Sequence, residues 1–340
     1  MLIKKQLEQF RELSRKVEAP TSENTDQLGP LSQLAGTWKS DGHGWNMIAL
    51  PWAPQKPGQP PYRLLMNQYD ECLQFGPIHS PVPNRGIDFH DKKPPTEADQ
   101  FIAAIEYNQS VTQVDADDFP QSKPSVKDAN GSVIHGEPGL WLHITNQTTN
   151  DLDLARLGSV PHGNSLLALG GSTVYKGAPN IQNLDGRPIG LENEDVMDPN
   201  NVYMEPYRHY ANNPFPGTIP PAAKIGFDPL KANALLRLAN ENRNFISTTE
   251  IVVDTTKQQA GIVNIPFIVK QAEATKMKFT FWISELDEKN PDGSQKLQLQ
   301  YSQVVILDFF NKNDGQPGRI EWPHISINTL EKISNDIVDC

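Results

Sequence analysis

The sequence predicts an all-β fold, an antiparallel barrel or sandwich, and three observations lead there. The 340 residues include 29 prolines and 23 glycines, which cut the chain into short pieces and suit strands joined by turns better than long helices. Apolar residues alternate with polar ones late in the chain, where Met277, Phe279, Phe281 and Ile283 share one face and Lys278 and Thr280 the other; that is the period of a strand with one wet side. So many short strands would expose many edges unless the sheet closed on itself, and closure favours a barrel.

Taken in order, the elements begin with residues 2–18. Leu2, Ile3, Leu7, Phe10, Leu13 and Val17 recur at helical spacing among charged residues, and Pro20 ends the run, so an amphipathic helical arm is expected. Two partners are open to it: its own body, or a second copy of the chain in a homodimer. Residues 21–30 read as a linker, 31–330 as a single enlarged barrel, and 331–340 as a tail. Within the barrel, Phe101 to Tyr107, Gly139 to Ile144 and Ser165 to Tyr175 are strand candidates. Leu297, Leu299 and Tyr301, then Val305, Leu307 and Phe309, continue the late alternation, and Asn290-Pro291-Asp292-Gly293 supplies a hairpin turn. One further helix is expected over Asp228 to Asn242, with Asp228 as N-cap, Pro229 at its first position and a stripe of Leu230, Ala234, Leu235 and Leu238. Asp115 to Gly131 and Gly177 to Asn201 read as long polar loops.

Composition removes several functions. With 37% hydrophobic and 21% charged residues the chain is globular, and its net charge of −11 argues against a nucleic-acid groove, which needs lysine and arginine against phosphate. No apolar stretch approaches the roughly 20 residues of a membrane helix, and Lys4 and Lys5 interrupt the start, so neither a membrane span nor a secretion signal is expected. Cys72 and Cys340 are too few to staple a chain of this length, so a reducing, cytoplasmic compartment is expected, and the sequons at Asn108, Asn130 and Asn146 read as chance matches. The chain lacks G-x-S-x-G, H-E-x-x-H, Walker and G-x-G-x-x-G signatures.

Leu34-Ala35-Gly36-Thr37-Trp38 resembles the Gly-x-Trp opening of the calycins. It is followed by Gly76-Pro77-Ile78 with Pro83-Asn84-Arg85-Gly86, then Gly139-Leu140-Trp141-Leu142, Ser159-Val160-Pro161-His162-Gly163 and Trp322-Pro323-His324-Ile325-Ser326-Ile327. In this order, from about Leu31 to Leu330, the blocks resemble bacterial haem-binding β-barrel proteins that are similar to fatty-acid-binding proteins and nitrobindins. The resemblance implies a calycin-like barrel holding haem b, with His324 as the iron's axial ligand and Trp322 beside it. It also implies small gaseous ligands or peroxide at the iron, with peroxidase or isomerase chemistry.

The residues themselves leave alternatives open. On strict alternation His324 shares a face with Trp322 and Ser326, which does not say whether that face points inward; a histidine bonded to a backbone carbonyl near a barrel end is the plain reading. His162, in a Pro-His-Gly turn, would be a distal hydrogen-bond donor or simply a turn residue. Arg85 would pair with a haem propionate or hold its own loop. His79, His143 and the Tyr207–Tyr210 cluster around Arg208 and His209 are weaker candidates. Beside the haem reading stand a cofactor-free carrier of a fatty acid or other apolar molecule, gated by the helix at Asp228 to Asn242, and an interaction module assembled through residues 2–18.

Overall fold

Gly36 lets the chain turn sharply into its first strand: its φ is +115°, and a Cβ there would sit 2.3 Å from the Ser334 carbonyl oxygen, so only glycine fits. Two residues on, Trp38 is fully buried and donates its indole N–H to the Leu34 carbonyl at 2.7 Å, with the Lys332 ammonium 5.5 Å from its ring centroid. The opening motif thus plugs one end of the structure beneath the 3-10 turn Gly29–Leu34.

The computed structural model describes residues 27–51, 60–88, 94–160, 162–219 and 225–340, and within these not the side chains of 77–81. The arm expected over residues 2–18 lies outside them. Among the described residues thirteen strands follow one another: β1 (Gly36–Leu50), β2 (Arg63–Asn84), β3 (Ile87–Asp88), β4 (Thr96–Glu97), β5 (Gln100–Phe119), β6 (Val133–Thr145), β7 (Leu154–Gly158), β8 (Asn164–Lys176), β9 (Phe245–Asp254), β10 (Gly261–Asn264), β11 (Glu273–Lys289), β12 (Gln295–Asn311) and β13 (Arg319–Ser334). Eleven form one antiparallel sheet in the order β10-β8-β7-β6-β5-β2-β1-β13-β12-β11-β9, and a further β8–β9 pairing joins its ends. Ten strands therefore make a closed ring, and β10 adds to β8 outside it.

Each strand turns alternate residues into the ring. Phe75, Tyr107, Trp141, Phe279, Phe281 and Tyr301 meet there with centroids 4.5 to 6.3 Å apart, and the void that they line measures about 10 Å³. The opposite face of β1, β2, β12 and β13 is covered by the segment after β8. Trp45 packs on Phe215 and Phe227, while Gln300 donates to the Leu236 carbonyl at 2.9 Å and accepts from Asn240 at 2.9 Å.

Several expectations change here. Leu297 to Phe309 is one strand, β12, and the Asn290–Gly293 turn joins it to β11 with Gly293 in the left-handed region at φ +84°. The helix expected from Asp228 begins only at Ala234 and ends at Ala239. Asp228 instead closes a turn by accepting from Leu230 N–H at 2.8 Å, and Ala232 N–H is drawn to the Leu184 carbonyl. That helix lies on the ring's outer face, and further helices form at Glu205–Asn212 and Pro266–Gln271. Asp115 to Phe119 is strand rather than loop, because its acids are engaged: Asp118 pairs with Arg63 at 2.8 Å and Asp117 accepts from Tyr210. The tail expected from 331 is strand through Ser334.

The largest correction concerns the cysteines. Cys72 and Cys340 are joined in a disulfide across 268 residues, with Cα atoms 6.0 Å apart, pinning the C-terminus to β2 beside the Thr37 hydroxyl, which donates to the Asp336 carbonyl. The two cysteines are therefore a cross-link and not free thiols, and Asn108, Asn130 and Asn146 all stand exposed. The cross-link predicts that neither cysteine reacts with an alkylating reagent until reductant is added. Cys340→Ser is expected to lower unfolding stability by about 2 kcal/mol in denaturant melts.

Candidate functional site

Two groups of polar side chains occupy the ring interior, and an apolar cavity opens at one end. The first group centres on Arg156. Strand β7 is five residues long, and β6–β7 pairing sets Arg156 opposite Trp141, so a guanidinium is carried into the aromatic layer, 4.3 Å from the Phe279 centroid. Its charge is met by Glu137 at 3.1 Å, and its remaining donors reach the Tyr107 hydroxyl at 3.1 Å and Gln303 Oε1 at 2.8 Å. Tyr107 in turn donates to Glu137. Burial alone would raise the Glu137 pKa, but Arg156, His135 and Tyr107 outweigh it and hold the carboxyl at about 2.

The second group centres on Glu71, which accepts from Gln109, Tyr301 and Asn328, each at 2.7 Å. Here burial dominates and pushes the carboxyl above its ordinary value, with these hydrogen bonds opposing it. Two interior carboxylates are thus driven in opposite directions, a pattern that marks acid and base partners in many active sites. The 10 Å³ void between them holds at most one water, so they are core groups without room for a substrate.

The cavity, of about 510 Å³, lies where β1 ends and β11 begins. Ile48, Leu50, Phe267, Ile268, Ala272 and Leu307 supply its apolar wall, and His324 stands in it. Among the described residues that line it there is no lysine, arginine, aspartate or glutamate. Asn46 holds His324: its amide Nδ2 lies 2.7 Å from the imidazole Nε2 and 3.0 Å from Ser326 Oγ. An amide N–H is a donor, so Nε2 accepts and the proton sits on Nδ1. Burial, with the nearby His135, lowers the His324 pKa to about 4, so the ring is neutral at pH 7. Phe267 is 65% exposed; the Pro266–Gln271 helix therefore forms the cavity's outer wall with a face to solvent.

The other residues singled out in the sequence do not meet here. Arg85 pairs with Asp99 at 2.6 Å and its side chain is 77% exposed. Trp322 is buried between Tyr62 and Phe309, donating to the Phe309 carbonyl, and is not part of the cavity wall. His162 is exposed and stacks on His135 at 4.6 Å, accepting from Gly136 N–H. His143 bonds the Gln27 carbonyl at 2.7 Å, and His209 stacks on Phe119. Of the residues assigned to haem b, only His324 faces an apolar cavity, its Nε2 is taken by Asn46, and the propionate partner is tied to Asp99. Among the described residues no group of three or more His, Cys, Asp or Glu is placed to hold a metal ion. Arg156, Glu137, Glu71 and Asn46 were missed; the available signal was the arginine inside the apolar run Leu154-Ala155-Arg156-Leu157.

Two outcomes are expected from this electrostatic arrangement. Arg156→Met leaves Glu137 buried without its cation and should cost about 3–5 kcal/mol. Glu137's folded value of about 2 lies below the unfolded value near 4.3. Its contribution is therefore present above pH ~4.3 and lost as pH falls toward 2, so the gap between variant and wild type should narrow below pH ~4 in urea melts. For His324 the folded value of about 4 lies below the ordinary 6.5, so the unfolded chain takes up the proton first and stability falls as pH drops from 6.5 to 4. His324→Phe should flatten that slope.

Among the described residues no helix is long and apolar enough to cross a membrane. Comparison of the chain with family models, with curated proteins and with solved structures returns no match in any of the three.

Proposed function

We propose that the protein binds a neutral, apolar small molecule in the cavity beside His324. The observation that carries this reading is the wall itself: a mostly apolar cavity of about 510 Å³ whose polar lining residues are Gln271 and the neutral His324, the latter bonded to Asn46. Volumes of roughly 300–1,000 Å³ with few polar groups are typical of small-molecule sites. A fatty acid fits less well than an alcohol, ester or hydrocarbon, because its carboxylate would be buried without a cation, and an unpaired buried charge is costly. His324 Nδ1–H or the Asn46–Ser326 pair offers a hydrogen bond to a hydroxyl or carbonyl.

The closed ring, entered through Gly36 and Trp38, supports an enlarged calycin-like barrel as the scaffold, although its centre is filled and the ligand would sit at one end. The gate differs from the one expected over Asp228 to Asn242: Phe267 and Ile268 line the cavity, and Ala234–Ala239 does not. A ligand enters by displacing the Pro266–Gln271 segment.

Calorimetric titration with 1-dodecanol is expected to show saturable binding that weakens at least tenfold in Ala272→Phe, whose ring fills the cavity, with dodecanoate weaker than dodecanol at pH 7. No saturable dodecanol binding would remove this reading. A titration with hemin that gave a Soret band lost in His324→Phe would replace it with haem b at His324.

A further inference from the structure

The outer face of the ring is not uniform. Over β1, β2, β12 and β13 it is covered by the segment between β8 and β9, through Phe215, Phe227 and Leu236. Over β6, β7 and β8 the outward rows are themselves apolar. Leu140, Leu157 and Leu167 pair in one row across the three strands, and Leu142 and Ile144 on β6 and Leu169 on β8 share that face by alternation. The positions between them, Trp141, Arg156, Leu166 and Ala168, are the buried, inward ones. All six outward side chains are half-buried, shielded by one another within the sheet. Among the described residues no helix packs along these strands; only the 3-10 turn Gly29–Leu34 meets β6. An antiparallel sheet with one face to water ordinarily carries polar residues there, and a contiguous apolar patch marks a surface that something covers.

The same chain carries a segment of matching chemistry. Ile3, Leu7, Phe10, Leu13 and Val17 fall on one face of a helix, and such a stripe from Ile3 to Val17 is about 21 Å long. That is enough to cross the patch, which runs about 13 Å along β6 from Leu140 to Ile144 and about 10 Å from β6 to β8. The chain also ends in the right place. Gln27 is the first described residue, and its carbonyl accepts from His143 Nδ1 at 2.7 Å, between Leu142 and Ile144 on β6. Residues 19–26 separate the arm from that point and span up to about 27 Å when extended. Charge is complementary as well: the arm carries Lys4, Lys5, Arg11, Arg15 and Lys16 against Glu8, Glu12 and Glu18, in a chain of net charge −11. Glu106, which pairs with Leu140 at the border of the patch, is exposed and has no cation partner among the described residues.

We propose that residues 2–18 dock as a helix on this outward face of their own chain, with Leu7 and Phe10 against the Leu140–Leu157–Leu167 row. The short tether favours the chain's own arm over one donated by a second copy, because it holds the arm beside the patch at an effective concentration on the order of millimolar. The interface shares no residue with the lining of the His324 cavity, and neither reading depends on the other.

Hydrogen exchange of the full chain, read by mass spectrometry on peptides within residues 2–18, tests this alongside the sedimentation mass. An isolated helix of this length is marginal in water, so arm amides that exchange at least tenfold slower than an unstructured chain, in a protein that sediments as a monomer, are the expected result. Phe10→Glu and Leu157→Glu should each return the arm to the unstructured rate while protection in β5 and β12 is unchanged; Leu142→Gln takes the place of Leu157→Glu if that variant does not fold. Arm amides that exchange at the unstructured rate in wild type, or protection that survives in the folded face variants, would overturn the proposal. Protection that arises only as the chain dimerises would overturn it too, and would assign the face to a second copy.

Discussion

Ring closure between β8 and β9 is the constraint from which the rest follows. Once the sheet's ends are joined, every strand must present one row of side chains to a shared interior, and no backbone edge is left within the ring to satisfy a buried charge. Aromatic rings take most of that space, which leaves Arg156 enclosed by Phe279, Tyr107 and Trp141. A guanidinium so placed is tolerable only with a carboxylate and further acceptors around it, and Glu137, Tyr107 and Gln303 supply them from β6, β5 and β12. The pair thereby ties strands from opposite sides of the ring together.

The same packing explains where ligands can go. The ring's centre is filled, and one end is plugged by Trp38 under the Gly29–Leu34 turn, with Leu31 and Leu34 fully buried there. Space remains at the opposite end, where β1 and β12 run out and the Pro266–Gln271 helix folds across, and on the outer face beneath Ala234–Ala239. The two spaces differ because their walls differ. The end cavity is lined by inward rows of strands and keeps a neutral imidazole; the outer one is bounded by the wet rim of β1 and β13, where Lys39, Asp41 and Glu331 point to solvent.

Much of this fold was legible in local pattern. The alternation around Phe279 and Phe281, the Asn290–Gly293 turn and the Gly36–Trp38 opening all rest on neighbours close in sequence, and each appears in the structure. What was not legible depends on distant partners. Asp117 and Asp118 looked like loop because nothing local announces Tyr210 or Arg63, and the Asp228 helix shortened because Leu184 captures Ala232 N–H. The disulfide joins residues 268 positions apart, and two cysteines carry no spacing from which that pairing could be read. At the sites, His324 was picked out by the resemblance to haem-binding barrels, and its engagement by Asn46 comes from the β1–β13 register.

The central claim is that the His324 cavity holds a neutral apolar molecule. Native mass spectrometry of the full chain, followed by solvent extraction and identification of whatever is released, tests it most directly. The account predicts a stoichiometric adduct that carries no iron, no charge and little polarity; recovery of an iron porphyrin, or of an anion retained when the His324 cavity is filled by Ala272→Phe and no neutral adduct, would contradict it.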